Sequence, residues 1–285
     1  MATDKLKQYV GNRRCDLLGL GVSNLPLAKT LLDFGVSLTV RDRSDMERLG
    51  ESASVLAHRG ARFVVGEGYL ENISTDLIFR SPGIRPDREA LTSAVAKGAE
   101  LTSEMELFLA LTEAKVLAIS GSDGKTTTTT LTSLMLEEAC RRTGAGRVYL
   151  GGNIGTPLLP FVEDMTPEDF AVVELSSFQL MTLEAGETVT RAALTNITPN
   201  HLNWHTGMEE YTEAKANGFR HAPCRRAVLN AENRITAGLG KDVEIPITYF
   251  SSRKTSYTEF SLKEGDSAVY VREGKIYLWH DGVEH

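Results

Sequence analysis

The sequence predicts an α/β protein: an N-terminal Rossmann-like parallel-sheet domain, then a P-loop-type α/β domain that ends in a small β-meander. Three observations carry this. Short β-branched runs alternate with segments of helical period along most of the 285 residues, and such alternation implies parallel strands joined by crossovers. A glycine-rich turn, Gly19-Leu20-Gly21, follows the first run. A second one, Ser120–Gly124, is followed by Lys125-Thr126 and a long helical pattern.

In the first hundred residues the strands are expected at Asp16–Leu20, Ser37–Arg41, Arg62–Val65 and Leu77–Arg80. Between the first two, LPLAKTLLDFG places Leu25, Ala28, Leu31 and Leu32 on one helical face and ends at Gly35. Ser103–Glu113 (SEMELFLALTE) predicts a bridging helix, with Ser103 and Glu106 in capping-box spacing. The domain boundary is therefore expected near Thr102, giving domains 1–102 and 103–285. Strands of the second domain are expected at Val116–Ser120, Arg147–Gly151, Phe170–Glu174, Arg191–Asn196, Ala227–Asn230 and Ile247–Phe250. The helix behind Lys125 should turn Leu131, Leu134, Met135 and Leu136 inward. Phe260–Lys263, Ala268–Val271 and Lys275–Leu278, separated by KEGD and REG turns, read as the meander.

Composition removes several classes. With 41% hydrophobic and 24% charged residues, the chain is neither disordered, collagenous nor coiled-coil. Lys+Arg number 31 against Asp+Glu 38, a formal charge of -7, which gives no general pull toward nucleic acid or anionic membrane. Cys15, Cys140 and Cys224 are odd in number and form no Cys-x-x-Cys pair, which argues against a disulfide framework and fits a reducing compartment. The first residues lack an apolar signal core, and no apolar run approaches the ~18 residues of a span. A soluble cytoplasmic protein, without membrane insertion or a nucleic-acid partner, is expected.

The strongest chemical signal is VLAISGSDGKTTTTTLTSLMLEEA, Val116–Ala139. A strand, a glycine loop and a helix N-terminus point several backbone N–H groups at one spot, where the helix dipole adds positive potential. Gly121 and Gly124 let the backbone approach phosphate, Lys125 would neutralise the β/γ-phosphates, and the Thr126 hydroxyl would hold Mg²⁺. The first glycine of the usual pattern is Ile119 here. In FAVVELSSFQL an apolar strand ends on Glu174, where P-loop proteins place the carboxylate completing the Mg²⁺ shell. His201 and His205 make an HxxxH pair with no third ligand at useful spacing, so zinc is set aside. Gly19-Leu20-Gly21 begins a dinucleotide fingerprint, but the third glycine position is Asn24; Asp42 stands at the end of the second strand, where ribose recognition occurs. By spacing alone the first domain holds a nucleotide, and NAD is the obvious guess. GGNIGTP, Gly151–Pro157, is a further backbone-exposing turn able to touch a phosphate or a sugar.

Taken together, GLGVSN (Gly19–Asn24), SPGI (Ser81–Ile84), SGSDGKTTTT (Ser120–Thr129), GGNIG (Gly151–Gly155), ELSSFQL (Glu174–Leu180) and NITPNHLNWH with YTEAK resemble the Mur ligase family, in the family's order and over nearly the whole chain. The resemblance replaces NAD by a UDP-linked substrate on Gly19, Gly21, Val22, Ser23, Asp42 and Arg43, with Asn153 touching that substrate near its sugar or diphosphate. It makes the second domain a central ATP-binding domain, with Gly121, Ser122, Asp123, Gly124, Lys125, Thr126 and Thr127 on the nucleotide. It implies a catalytic set of Lys125, Glu174, His201 and Lys215. Two Mg²⁺ ions would be held by Thr126, Glu174, His201 and Lys215, the last as a CO₂-derived carbamate. The implied reaction is ATP-dependent amide formation joining D-glutamate to UDP-N-acetylmuramoyl-L-alanine through an acyl phosphate, by a monomer.

Two positions depart from the family pattern. Asp123 puts a negative charge beside the phosphate loop, and Asn200 stands where aspartate is common. No HNxxN-type segment follows the meander, so the resemblance also implies a fragment without ligase activity alone. The alternatives are another Mur ligase or a folylpolyglutamate synthase-like enzyme, or a non-catalytic nucleotide-binding module.

Overall fold

Two central strands of the first sheet, β1 (Cys15–Leu18) and β4 (Leu77–Arg80), are buried at every position. In the computed structural model, which describes residues 5–183, 188–220 and 224–285, they sit in a five-stranded sheet. It includes β2 (Leu38–Asp42), β3 (Arg62–Val65) and β5 (Glu100–Thr102), in the order β3-β2-β1-β4-β5. All pairs are parallel. Strands covered on both faces read as unbroken apolar runs, and Leu17, Leu18, Leu77, Ile78 and Phe79 are such a run split over two strands. Connections leave β1 toward β2 and resume on its other side at β4. The loops after β1 and β4 therefore flank a topological switch point, where open α/β sheets bind ligands.

The described residues divide into two units. One runs to Glu113 and takes in Thr156–Met165; the other comprises Ala114–Gly155 and Thr166–His285. The helix Glu104–Leu111, placed in the second domain from sequence, packs in the first unit, burying Met105, Leu107, Phe108 and Leu109. Its N-cap is as expected, the Ser103 hydroxyl accepting the Glu106 N–H at 3.2 Å. Glu104, also buried, accepts the Leu159 N–H at 3.0 Å and so ties Thr156–Met165 to the same unit.

The second unit holds a nine-stranded sheet: β6 (Lys115–Ser120), β7 (Val148–Gly152), β8 (Phe170–Glu174), β9 (Arg191–Leu194), β10 (Arg226–Asn230), β11 (Ile247–Phe250), β12 (Ser267–Arg272), β13 (Lys275–His280) and β14 (Val283–Glu284). Its order is β14-β13-β12-β11-β10-β9-β6-β8-β7. Strand β6 lies between β8 and β9, both parallel to it, so the loop after β6 occupies a second switch point.

Two expectations are corrected. Phe260–Lys263 is not a strand: the Asp266 carboxylate accepts N–H groups of both Lys263 and Ile247 and locks a turn there. The β12–β13–β14 meander is real, and its two-residue turns, Glu273-Gly274 and Asp281-Gly282, have positive φ at both positions, the geometry that matches strand twist. The helix behind the phosphate loop, Lys125–Thr143, buries Thr129 and Ser133. Leu131, Leu134 and Met135, expected inward, are exposed. Small hydroxyl side chains allow close approach to β7 and β8 and return hydrogen bonds to their own helix, Thr129 to the Lys125 carbonyl at 2.9 Å.

Among the described residues no helix is long and apolar enough to cross a membrane.

Candidate functional site

In the first unit the turn after β1 is held from three sides. Gly19 has φ +83°, and a Cβ there would lie 3.0 Å from the Ser81 Cβ, so the turns after β1 and β4 are in contact. Asn24, at the third glycine position, donates from its side chain to the carbonyls of Leu18 and Gly19 at 3.2 and 2.8 Å. An amide clasp thus stands where a glycine would allow helix and strand to close up. Asp42 accepts the Leu20 N–H at 2.7 Å and the Ser44 N–H at 2.8 Å, bracing the loop. Gly21, Val22 and Arg43 lie at the surface, and Ser23 precedes the helix Asn24–Asp33.

In the second unit the Ser120–Thr126 loop is stitched to the segment after β9. A Cβ on Gly121, φ +147°, would fall 1.9 Å from the Thr195 hydroxyl, so only glycine fits. The Asn196 side chain pairs with the Asp123 backbone in both directions at 3.0 Å, and Thr195 donates to the Asp123 carbonyl at 2.6 Å. Ser122 donates to the Thr198 carbonyl, accepts the Thr198 N–H, and meets the Tyr211 hydroxyl at 2.9 Å. The Asp123 carboxylate turns toward Thr198, whose hydroxyl donates to it at 3.4 Å. Gly124, at φ +78°, precedes the helix, and Lys125 donates to the carbonyls of Gly121 and Ser122. Thr127 is exposed on the first turn.

Glu174, buried at the end of β8, is the hub. Its two oxygens accept from Thr126 at 2.8 Å and from the Asn153 amide at 3.0 Å. Gly152 makes this possible, since a Cβ there would sit 2.2 Å from the Glu174 carbonyl. Asn153, expected at the UDP-linked substrate, belongs to the second unit and is joined to Glu174.

Lys215, on the helix Met208–Arg220, is buried with its ammonium 2.8 Å from the Gly121 carbonyl and 3.3 Å from the Ser120 hydroxyl. Burial, and then the Lys125 charge, push it down to about 7 against the opposing pull of Glu174. A buried lysine so placed carries a large neutral fraction near neutral pH. His201 is exposed, with φ +55°. Its ring lies 6.4 Å from that of Tyr211, over which the Lys215 ammonium stands at 4.8 Å, and partial burial, then the positive charges of Lys215 and Lys125, hold the imidazole below its usual range.

His205 is elsewhere committed: one ring nitrogen meets the Ser177 hydroxyl at 2.9 Å and the other Glu210 at 3.1 Å. ELSSFQL is equally explained, with Ser176 and Gln179 forming a capping box and Phe178 packing on Trp204 at 4.3 Å. Among the described residues no group of three or more His, Cys, Asp or Glu is gathered to hold a metal. Thr126 and Glu174 instead offer adjacent hard oxygens, a donor pair that suits Mg²⁺ sharing its shell with phosphates. Asn196, Thr198 and Tyr211 lie within NITPNHLNWH and YTEAK, but no site role was assigned to them from sequence; their partners lie more than 70 residues away.

Residues 119–279 match a family model described as the Mur ligase middle domain. A UDP-N-acetylmuramoylalanine--D-glutamate ligase of Ruminiclostridium cellulolyticum is 45% identical over 275 residues, covering 96% of this chain and 57% of the relative. One of Clostridium beijerinckii is 41% identical over 278 residues with the same coverage. The chain thus spans little more than half the length of the curated relatives it matches. Among solved structures, a UDP-N-acetylmuramate:L-alanyl-gamma-D-glutamyl-meso-diaminopimelate ligase from Neisseria meningitides aligns with TM-score 0.55 at 15% identity, covering 95% of this chain and 85% of the other. A murein peptide ligase from Psychrobacter arcticus aligns with TM-score 0.51 at 16% identity, covering 94% and 58%. These two likenesses show a shared fold.

Proposed function

The chain belongs to the Mur ligase family, and from that premise we propose that it serves the ATP-dependent joining of D-glutamate to UDP-N-acetylmuramoyl-L-alanine. The first unit would bind the UDP-linked substrate on Gly19, Gly21, Val22, Ser23, Asp42 and Arg43. The second would hold ATP on residues 121–127. One observation carries the reading: buried Glu174 receives both Thr126 of the phosphate loop and Asn153 of the GGNIG turn. Relatives of 45% and 41% identity bearing this activity support the choice of amino acid.

Thr126 and Glu174 would hold one Mg²⁺, and His201 with Lys215 a second. Bound there, the metal supplies positive charge against the phosphates. Lys125 neutralises charge that develops on the transferred phosphoryl group. The L-alanyl carboxylate oxygen bonds to the γ-phosphorus as the bond to ADP breaks, giving an acyl phosphate. The amine of D-glutamate then attacks the acyl carbon, phosphate departs, and the amine gives up a proton. Once its ammonium has lost a proton, the neutral Lys215 amine adds to CO₂, forming an N–C bond and releasing a second proton, and so becomes an anionic oxygen ligand. The chain would act as a monomer, and UDP-linked substrates suit the cytoplasm.

Binding calorimetry with a non-hydrolysable ATP analogue and Mg²⁺ tests the centre. Lys125→Ala should weaken binding at least about tenfold, the scale of a charge-assisted hydrogen bond to phosphate. Unchanged affinity would remove the phosphate loop from the account.

A further inference from the structure

Arg80 ends β4 with its side chain only 1% exposed. Burying a guanidinium is expensive unless its donors are met, and here one short turn receives one of its nitrogens. The same nitrogen donates to the carbonyls of Ile84 at 2.7 Å, Pro82 at 3.2 Å and, more weakly, Ser81 at 3.4 Å. Glu106, on the helix Glu104–Leu111, lies 3.7 Å away as counter-charge. The turn is held from the other end as well, since the Ser81 N–H donates to the Leu18 carbonyl at 2.9 Å. Ser81 and Ile84 then form the wall that Gly19 touches, with the Ile84 Cδ1 within 3.9 Å of where a Gly19 Cβ would stand.

The cation therefore draws the turn's carbonyls inward, at the switch point of the first sheet. Gly19 meets the turn through the Ser81 and Ile84 side chains, not through the carbonyls that Arg80 holds. An apolar residue would fill the same interior at lower cost but could not orient three carbonyls. We propose that Arg80, braced by Glu106, is a positioning residue that fixes the Ser81–Ile84 turn as one wall of the uridine-nucleotide site. The inference rests on the reading of the first unit as that site.

The test uses the full chain with UDP as the probe. Arg80→Met should weaken UDP binding at least about tenfold while leaving Mg²⁺-dependent ATP-analogue binding by the second unit unchanged. Arg80→Lys, which keeps the charge opposite Glu106, should recover part of the loss. Amide hydrogen exchange gives a readout without ligand: Arg80→Met should lose protection at Ser81 and Ile84 and keep it at Phe79. Should Arg80→Met not fold, Glu106→Gln carries the test, with weaker UDP binding and faster exchange at the same two amides. A variant that folds, binds UDP as the parent does and keeps its turn protected overturns the proposal. A parent chain that does not bind UDP overturns the reading of the first unit instead, and the exchange data then show separately whether Arg80 holds the turn.

Discussion

The Thr126 hydroxyl donates to Glu174 Oε2 at 2.8 Å, joining the first turn of the helix behind the phosphate loop to the end of the neighbouring strand. The pairing follows from topology, because β8 runs parallel to β6 with Ile119 opposite Glu174. That register brings the strand-end carboxylate level with the loop. Two oxygen donors are thus side by side before any ion arrives, which lowers the ordering cost of binding one.

Thr126→Ala is expected to weaken Mg²⁺-dependent binding of an ATP analogue about tenfold or more, with Thr126→Ser staying within a few-fold of the parent. Calorimetry with and without EDTA separates the metal-dependent part. Equal losses in both variants would show that the methyl group, not the hydroxyl, matters.

Gly121→Ala should destabilise the second unit by about 2 kcal/mol or more, since its Cβ would overlap the Thr195 hydroxyl at φ +147°. Gly21→Ala has open space around it and should change the melting temperature little. Thermal melts of the two variants side by side check the contrast.

Lys215 should take up CO₂ at mildly alkaline pH, where its depressed titration leaves the amine neutral. A carbamate signal in ¹³C NMR after ¹³C-bicarbonate is the expected observation, and Lys215→Arg should lack it. An identical signal from both chains would assign it to another amine.

Burial raises the Glu104 carboxyl from 4.5 to about 7, against the pull of the Leu159 and Leu158 backbone N–H groups. Between those values the folded chain binds more protons than the unfolded one, so stability falls as pH rises through the window. Glu104→Gln removes this titration. It should gain on the parent between pH 5 and pH 8, by on the order of 3 kcal/mol at most. Thermal unfolding at the two pH values measures the difference; a gap independent of pH would contradict it.

Legibility in the sequence followed the range of the interaction. Strands with continuous apolar runs, such as Phe170–Glu174 and Leu77–Arg80, were readable to the residue, because burial on both faces leaves one composition. Glu100–Thr102 was not, being only three residues long on an edge. Helix burial was misread at Leu131, Leu134 and Met135, since the helix packs through hydroxyl residues that carry no hydrophobic signal. The neighbourhood of Thr126 and Glu174 was legible from spacing, a loop threonine and a strand-end carboxylate that the structure joins at 2.8 Å. The clasp of Asn196 on Asp123 and the Arg80 turn were not, because their geometry is set by partners brought together only by the sheet.

The proposed function requires a uridine nucleotide, not a nicotinamide dinucleotide, in the first unit and ATP in the second. The most direct measurement is a thermal-shift series on the 285-residue chain with UDP, UDP-N-acetylmuramoyl-L-alanine, Mg²⁺–ATP and NAD, since a ligand that binds only the folded state stabilises it. The expected result is stabilisation by both UDP ligands and by Mg²⁺–ATP, with none from NAD. A clear shift with NAD and none with UDP would contradict the account.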